Sequence, residues 1–163
     1  MNHFYFPVFM NLSKKKVLII GGGTIATRRV CSLLTFVESI EVVAPTVTTD
    51  LQQLIDEKRV IWNCECYCKR YIEDKDIVIA ATNQQDVNLQ VYKDCKEYEK
   101  VTGKHIMINV ADNKDLCDFY FPSLVKNEDV VIGINSGGQN PSYTKQIRKQ
   151  IETVLDTNTL YKE

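Results

Sequence analysis

The chain has almost no excess of charge: 20 basic residues stand against 21 acidic ones among 163, a formal net of −1. No basic surplus is available to neutralise a nucleic acid or an anionic membrane, so neither is expected as a partner. The apolar N-terminal stretch Met1–Met10 is too short to cross a bilayer, and its nearest lysines, Lys14–Lys16, follow it rather than precede it. That pattern argues against a signal peptide and for a cytoplasmic protein; the stretch reads instead as an edge strand stopped by Asn11. Histidine is scarce, with only His3 and His105, and neither lies close in sequence to the run Cys64-Glu65-Cys66-Tyr67-Cys68. The run also lacks the C-x-x-C spacing of a metal or redox pair. Read as a strand, it sets three thiols on one face, where they pack as buried or half-buried small hydrophobes rather than ligate a metal. All six cysteines are expected to stay reduced. Internal repeats, low-complexity tracts and long linkers are absent, and the length suits one domain, or one with a short appendix.

What is present begins with Val17-Leu18-Ile19-Ile20-Gly21-Gly22-Gly23-Thr24-Ile25-Ala26. An apolar strand runs into glycines and opens an amphipathic helix, over 24–37, through Thr27, Val30, Cys31 and Leu34. This is the form of a dinucleotide-binding turn. Gly21 allows the bend, Gly23 admits a pyrophosphate close to the backbone, and Ala26 takes the close-packing position. The helix N-terminus turns unpaired N–H groups and a positive dipole end toward the phosphates. The alternative is a tight turn without a ligand.

Strand and helix patterns then alternate: a strand at Ile40–Ala44, a helix through Leu51 and Ile55 capped by Thr49 or Asp50, and a strand from Val60. A doubly apolar strand at Asp76–Ala81, a helix over 85–100 ending at Gly103, and a strand at Ile106–Val110 follow. Such repetition implies right-handed crossovers and a parallel sheet covered on both faces. After it, Phe119–Val125 and Val130–Asn135 flank Lys126-Asn127-Glu128-Asp129 as a hairpin, and Asn140-Pro141 starts a last helix.

Ligands of such sheets sit beyond the carboxyl ends of the strands. Those ends carry Gly21–Thr24, Ala44-Pro45, Thr82-Asn83 and Asp112-Asn113. Thr82 and Asn83 can bond a nicotinamide ribose or amide, or cap the helix after them. Asp112 can take a proton as a hydride leaves, or, with Asp115, cap the turn Asn113–Leu116. Ser136-Gly137-Gly138 offers backbone N–H groups to an anionic substrate group, with Lys145, Arg148 and Lys149 on the next helix. One expected residue is missing. The acid that bonds a ribose 2′-OH, roughly 20 residues past the glycines, is replaced by Val43-Ala44-Pro45, so this motif does not choose between NAD and NADP.

Several segments stand together in order from about residue 6 to about residue 155. They are Phe6-Pro7-Val8-Phe9, Gly21-Gly22-Gly23 with Arg28-Arg29, Val43-Ala44-Pro45, Ala81-Thr82-Asn83 and Asn109-Val110-Ala111-Asp112. Asp118-Phe119 with Phe121-Pro122, and Ser136-Gly137-Gly138 with Asn140-Pro141-Ser142, complete the series. The chain thereby resembles the precorrin-2 dehydrogenase and sirohydrochlorin ferrochelatase family of siroheme and cobalamin synthesis.

The resemblance implies an α/β fold: a Rossmann-type doubly wound parallel sheet over 1–112, then a small hairpin-plus-helix segment over 113–163 for dimerisation and substrate cover. It implies oxidation of precorrin-2 to sirohydrochlorin with NAD⁺, some members also inserting Fe²⁺ or cobalt. The family's catalytic aspartate falls on Asp112. Its nucleotide contacts fall on Gly22–Ile25, which includes Thr24, and on Ala44-Pro45. Its substrate-side serine falls on Ser136, and its homodimer contact on about 113–140. No residue is carried over as a metal ligand. Longer members continue past the position of Glu163 with a helical domain that helps cover the tetrapyrrole. The expectation is therefore a dehydrogenase, with a bifunctional dehydrogenase–chelatase as the alternative. A non-catalytic NAD(H)-sensing domain is disfavoured by the missing ribose acid and by the retained Asp112.

Overall fold

A computed structural model describes residues 5–159. Four short apolar segments, β1 (Val17–Ile20), β2 (Ile40–Val43), β4 (Ile77–Ala80) and β5 (Met107–Val110), join β3 (Ile61–Asn63) in one parallel sheet of order β3-β2-β1-β4-β5. Every residue of β1 and β4 is buried, as runs of Val, Ile and Leu must be when helices cover both faces. Three helices make the connections: α1 (Thr24–Leu33), α2 (Thr49–Asp56) and α3 (Gln85–Thr102). Val91 and Cys95 of α3 pack on Leu18, Ile20, Val78, Ala80 and Ile108, one parity of the strands. The other parity, including Asn109, meets α1, whose Arg29 guanidinium donates to the Asn109 side-chain oxygen. The chain leaves β1 toward β2 on one side and β4 toward β5 on the other, so a switch point opens between β1 and β4. This is the doubly wound Rossmann arrangement.

Local chemistry sets the boundaries. Gly103 ends α3 at φ 72°, a left-handed position that glycine takes without a Cβ penalty. The cap of α2 is Thr48, whose hydroxyl accepts from the Leu51 N–H at 3.3 Å, rather than the expected Thr49 or Asp50. Helix α1 stops at Leu33, short of 37, and buries Ala26, Thr27, Val30 and Leu33, while Cys31 faces solvent.

Two compact units are present, one spanning Met10–Phe119 and the other gathering the described residues through Phe9 with those from Tyr120. The second unit holds an antiparallel hairpin, β6 (Ser123–Asn127) and β7 (Val130–Ile134), and the helix α4 (Pro141–Thr159). The Asn140 side-chain oxygen accepts from the Tyr143 N–H at 3.0 Å, as the Asn-Pro start requires. The expected N-terminal edge strand is not formed by residues 5–12. Phe6, Val8 and Phe9 stand mostly exposed there, because no neighbouring strand in the described residues offers them a ladder. No helix among the described residues is long and apolar enough to cross a membrane.

Candidate active site

The three glycines after β1 do three different jobs. Gly21 has φ 119°, and a Cβ there would come 2.4 Å from the Ala81 carbonyl oxygen, so β1 and β4 can close only on glycine. Gly22 is pressed against the β2 loop, its carbonyl accepting from the Thr48 N–H at 3.0 Å. A Cβ on Gly23 would meet nothing within 4 Å. Gly23 is also the N-cap of α1 and has no side chain to satisfy the first-turn N–H groups, which leaves them facing open space. Open backbone, unpaired donors and a dipole end together fit a pyrophosphate.

A cleft of about 470 Å³ opens over this turn. All nine residues named from sequence for the cofactor, Gly21, Gly22, Gly23, Thr24, Ile25, Ala44, Pro45, Thr82 and Asn83, line it. Thr82 is fixed in place by the buried Asn88: its N–H and hydroxyl both donate to the Asn88 side-chain oxygen, at 3.1 and 2.8 Å. The Thr82 hydroxyl also accepts from the Gln84 N–H at 3.1 Å, so its turn-building role is real. Asn83 is exposed and hydrogen-bonds nothing among the described residues, which leaves its amide for a ligand.

Sequence reasoning missed Cys66 and Tyr67 as cleft residues. Residues 64–68 are a loop, not the strand that the alternating cysteines suggested, and Cys64 and Cys66 are exposed rather than buried. The loop departs from the sheet because its side chains bind outward: the Cys64 thiol donates to the Pro45 carbonyl at 3.4 Å, and Tyr67 reaches α3. Burial, and then the bond to Asp94, push the Tyr67 phenol well above its ordinary value, so it stays a donor. Among the described residues no group of three or more His, Cys, Asp or Glu is placed to hold a metal ion.

Asp112 follows β5 on the same edge of the sheet and lines a smaller cavity of about 240 Å³ with Gln85, Leu89, Val110, Asn113 and Leu116. The start of α3 contributes to both cavities, through its N-cap Gln84 and Val87 to the larger and through Gln85 to the smaller. The turn after Asp112 is capped by Asn113, whose side-chain oxygen accepts from the Asp115 N–H at 3.1 Å. Asp112 is therefore not its cap. It is exposed and has no hydrogen bond or ion pair among the described residues, a carboxylate open to a ligand's proton. The strand behind it is held firmly. Asn109 donates to the Phe119 carbonyl at 2.7 Å, and Asp118 accepts from the Ile108 N–H at 2.9 Å. His105 stands before β5, at the opposite edge, beside Glu99.

In the second unit, Gly137 and Gly138 take φ 63° and 74°, and Ser136 lies just before them. The Ser136 hydroxyl meets the Asn140 N–H at 3.2 Å and the Thr144 hydroxyl at 3.0 Å, which ties the glycine turn to the start of α4. Lys145 and Lys149 are exposed, while Arg148 pairs with Glu152 along the helix.

The model of the NAD(P)-binding family NAD_binding_7 matches residues 8–123. A probable multifunctional siroheme biosynthesis protein, HemA of Ruminiclostridium josui, is 40% identical over 150 residues, covering 91% of this chain and 28% of the relative. The siroheme synthase of Psychrobacter sp. strain PRwf-1 is 37% identical over 150 residues, covering 92% of this chain and 30% of its own length. The chain thus spans under a third of the curated relatives it matches. Among solved structures, SirC, a precorrin-2 dehydrogenase, superposes with a TM-score of 0.74 at 26% identity, over 91% of this chain and 70% of SirC.

Proposed function

The chain belongs to this NAD(P)-binding family, and from that premise we propose that it oxidises precorrin-2 to sirohydrochlorin with NAD⁺, in siroheme or cobalamin synthesis. The observation that carries the reading is the likeness to the precorrin-2 dehydrogenase SirC over nine-tenths of the chain. The siroheme synthases point to the same pathway.

The residues present fit a dinucleotide. Gly22–Ile25 would hold the pyrophosphate at the bare N-terminus of α1, and Ala44, Pro45, Thr82 and Asn83, which line the same cleft, would contact the two nucleoside halves. When bound, NAD⁺ supplies the hydride acceptor. The chain itself must dispose of a proton, since removing two hydrogens from the macrocycle releases one as hydride and the other as a proton. Asp112 takes that proton: an exposed carboxylate with no hydrogen-bond or ion-pair partner among the described residues is placed to accept it and pass it on to solvent. Ser136, Gly137 and Gly138 meet carboxylates of the substrate, using the backbone N–H groups of the glycine turn. Residues 1–112 act as the cofactor domain and 113–163 as the segment that covers substrate and joins a second copy into a homodimer. The setting of this chemistry is the cytoplasm.

The test is anaerobic incubation of the protein with enzymatically generated precorrin-2, with and without NAD⁺, following sirohydrochlorin absorbance. Product that depends on NAD⁺ is the expected result; none, with NAD⁺ still bound, overturns the dehydrogenase reading. Adding Fe²⁺ or Co²⁺ to sirohydrochlorin without NAD⁺ separates chelation from oxidation.

A further inference from the structure

The adenosine end of the cleft is short of polar anchors. Dinucleotide folds ordinarily place an acid after the second strand to bond the ribose, and Val43-Ala44-Pro45 contains none. What stands in the cleft beside Ala44 and Pro45 is the loop that follows β3, carrying Cys66 and Tyr67.

That loop is fastened at three points. The Cys64 thiol donates to the Pro45 carbonyl at 3.4 Å. The Glu65 carboxylate accepts from Arg70 at 2.7 Å and from the Tyr71 hydroxyl at 3.0 Å. The Tyr67 hydroxyl donates to the Asp94 carboxylate on α3 at 2.9 Å. Asp94 is only 6% exposed; its other oxygen accepts from Gln90 at 2.8 Å, and it has no ion-pair partner among the described residues. Lys69 acts on Asp94 only through its field, its ammonium being paired with Glu97 at 2.8 Å. Burying a carboxylate without a direct ion pair is a poor way to gain stability, since a phenylalanine over an apolar neighbour would pack equally well. What such a pair does supply is orientation, because it holds one ring in one place.

We infer that Tyr67, latched to Asp94, sets the affinity of the cleft for the adenosine half of the dinucleotide, its ring giving by apolar and stacking contact what a ribose-binding acid gives elsewhere. The inference rests on the assignment of this cleft to the dinucleotide. Tyr67 is then a binding residue, and Asp94 a positioning residue that acts through it.

The chain carries its own reporter. Trp62, the single tryptophan, donates its indole N–H to the Ala44 carbonyl at 2.9 Å, so its fluorescence senses occupation of the cleft. Titrations of the full chain with NAD⁺ and with ADP-ribose, which share the adenosine half, compare four variants with the wild type. Tyr67→Leu is expected to weaken both ligands about tenfold, the lower range for base–aromatic stacking. Tyr67→Phe and Asp94→Leu, which keep the ring but free it, should each weaken both about threefold. Asp94→Asn, whose amide oxygen still accepts from the phenol, should restore wild-type affinity. A wild type that binds neither ligand overturns the assignment of the cleft itself. A wild type that binds while folded Tyr67→Leu binds equally well overturns the role of Tyr67 and leaves the cleft assignment standing, and wild-type affinity in Tyr67→Phe and Asp94→Leu overturns the latch. Thermal midpoints that fall while affinity holds would likewise reduce the latch to a packing contact.

Discussion

Gly22 and Thr46 are in such close approach that a Cβ added to Gly22 would lie 2.0 Å from the Thr46 carbonyl oxygen, whereas one added to Gly23 lies in open space. The two neighbours therefore answer different questions. Gly22→Ala must force the β1 and β2 loops apart, so it is expected to cost about 3 kcal/mol of stability, the upper range for overpacking. Gly23→Leu meets no protein atom and should cost little stability, yet it fills the space over the first-turn N–H groups and should weaken NAD⁺ binding at least tenfold. Denaturant midpoints read the first effect and titration with NAD⁺ reads the second. Unchanged affinity in Gly23→Leu would remove the glycine turn from the cofactor site.

Asp112 is exposed, follows a firmly held strand and has no partner among the described residues. Asp112→Asn is nearly isosteric and removes only the ability to take a proton. Turnover of precorrin-2 should fall ~10²-fold or more, the scale of a lost general base. NAD⁺ affinity and thermal midpoint should stay at wild-type values. Full turnover in this variant would return Asp112 to the role of a surface residue.

Asp76 joins the amino ends of β1 and β4, its carboxylate accepting from the Lys16 N–H at 2.9 Å. That bond, with help from Lys15, holds the carboxyl below its usual value of 3.8. A depressed folded-state value means that the unfolded chain binds the proton first as pH falls. The stabilisation is thus complete above the ordinary value and is lost as pH drops through the depressed one. Asp76→Asn should lower the urea midpoint by a constant amount above about pH 5, and the gap to wild type should close in more acid solution. A gap that stays constant down to pH 2 would mean that the carboxylate charge contributes nothing.

The features legible in sequence were those decided within a few residues of chain. The glycine turn, the Gly103 stop and the Asn140-Pro141 start are steric and hydrogen-bonding requirements of the local backbone, and each stands where its residues demanded. The errors lie where a distant partner decides. Cys64-Glu65-Cys66-Tyr67-Cys68 alternates like a strand, but Pro45 and Asp94 pull its side chains away from any ladder. The apolar Tyr5–Met10 stretch looked like an edge strand, and a strand exists only where another offers it hydrogen bonds. At the candidate site three of the four strand ends named in advance line one cleft, and the fourth, Asp112-Asn113, lines the smaller cavity. The walls that complete the cleft, Cys66, Tyr67 and Val87, come from a loop and a helix whose approach no spacing rule announces. The α2 cap was missed by one position, because Thr48, Thr49 and Asp50 are all competent and only the path of the loop selects Thr48.

Five of the six cysteines, all but Cys68, separate into two chemical groups, and alkylation of the native protein should show it. Cys31, Cys64 and Cys66 are exposed, while Cys95 is fully buried against the sheet and Cys117 is half-buried. Burial, outweighing the attraction of Lys96, pushes the Cys95 thiol up to about 12, so it has almost no thiolate at neutral pH. Burial also raises Cys117, whose sulfur is engaged by the Val110 N–H at 3.2 Å. Brief treatment with iodoacetamide at pH 8, followed by peptide mass spectrometry, should label residues 31, 64 and 66 and leave 95 and 117 intact until denaturant is added. Because Cys66 lines the cleft and Cys31 does not, saturating NAD⁺ should slow labelling of Cys66 several-fold and leave the Cys31 rate unchanged. Equal protection of both, or of neither, would mean that the dinucleotide does not occupy the cleft at the adenosine end.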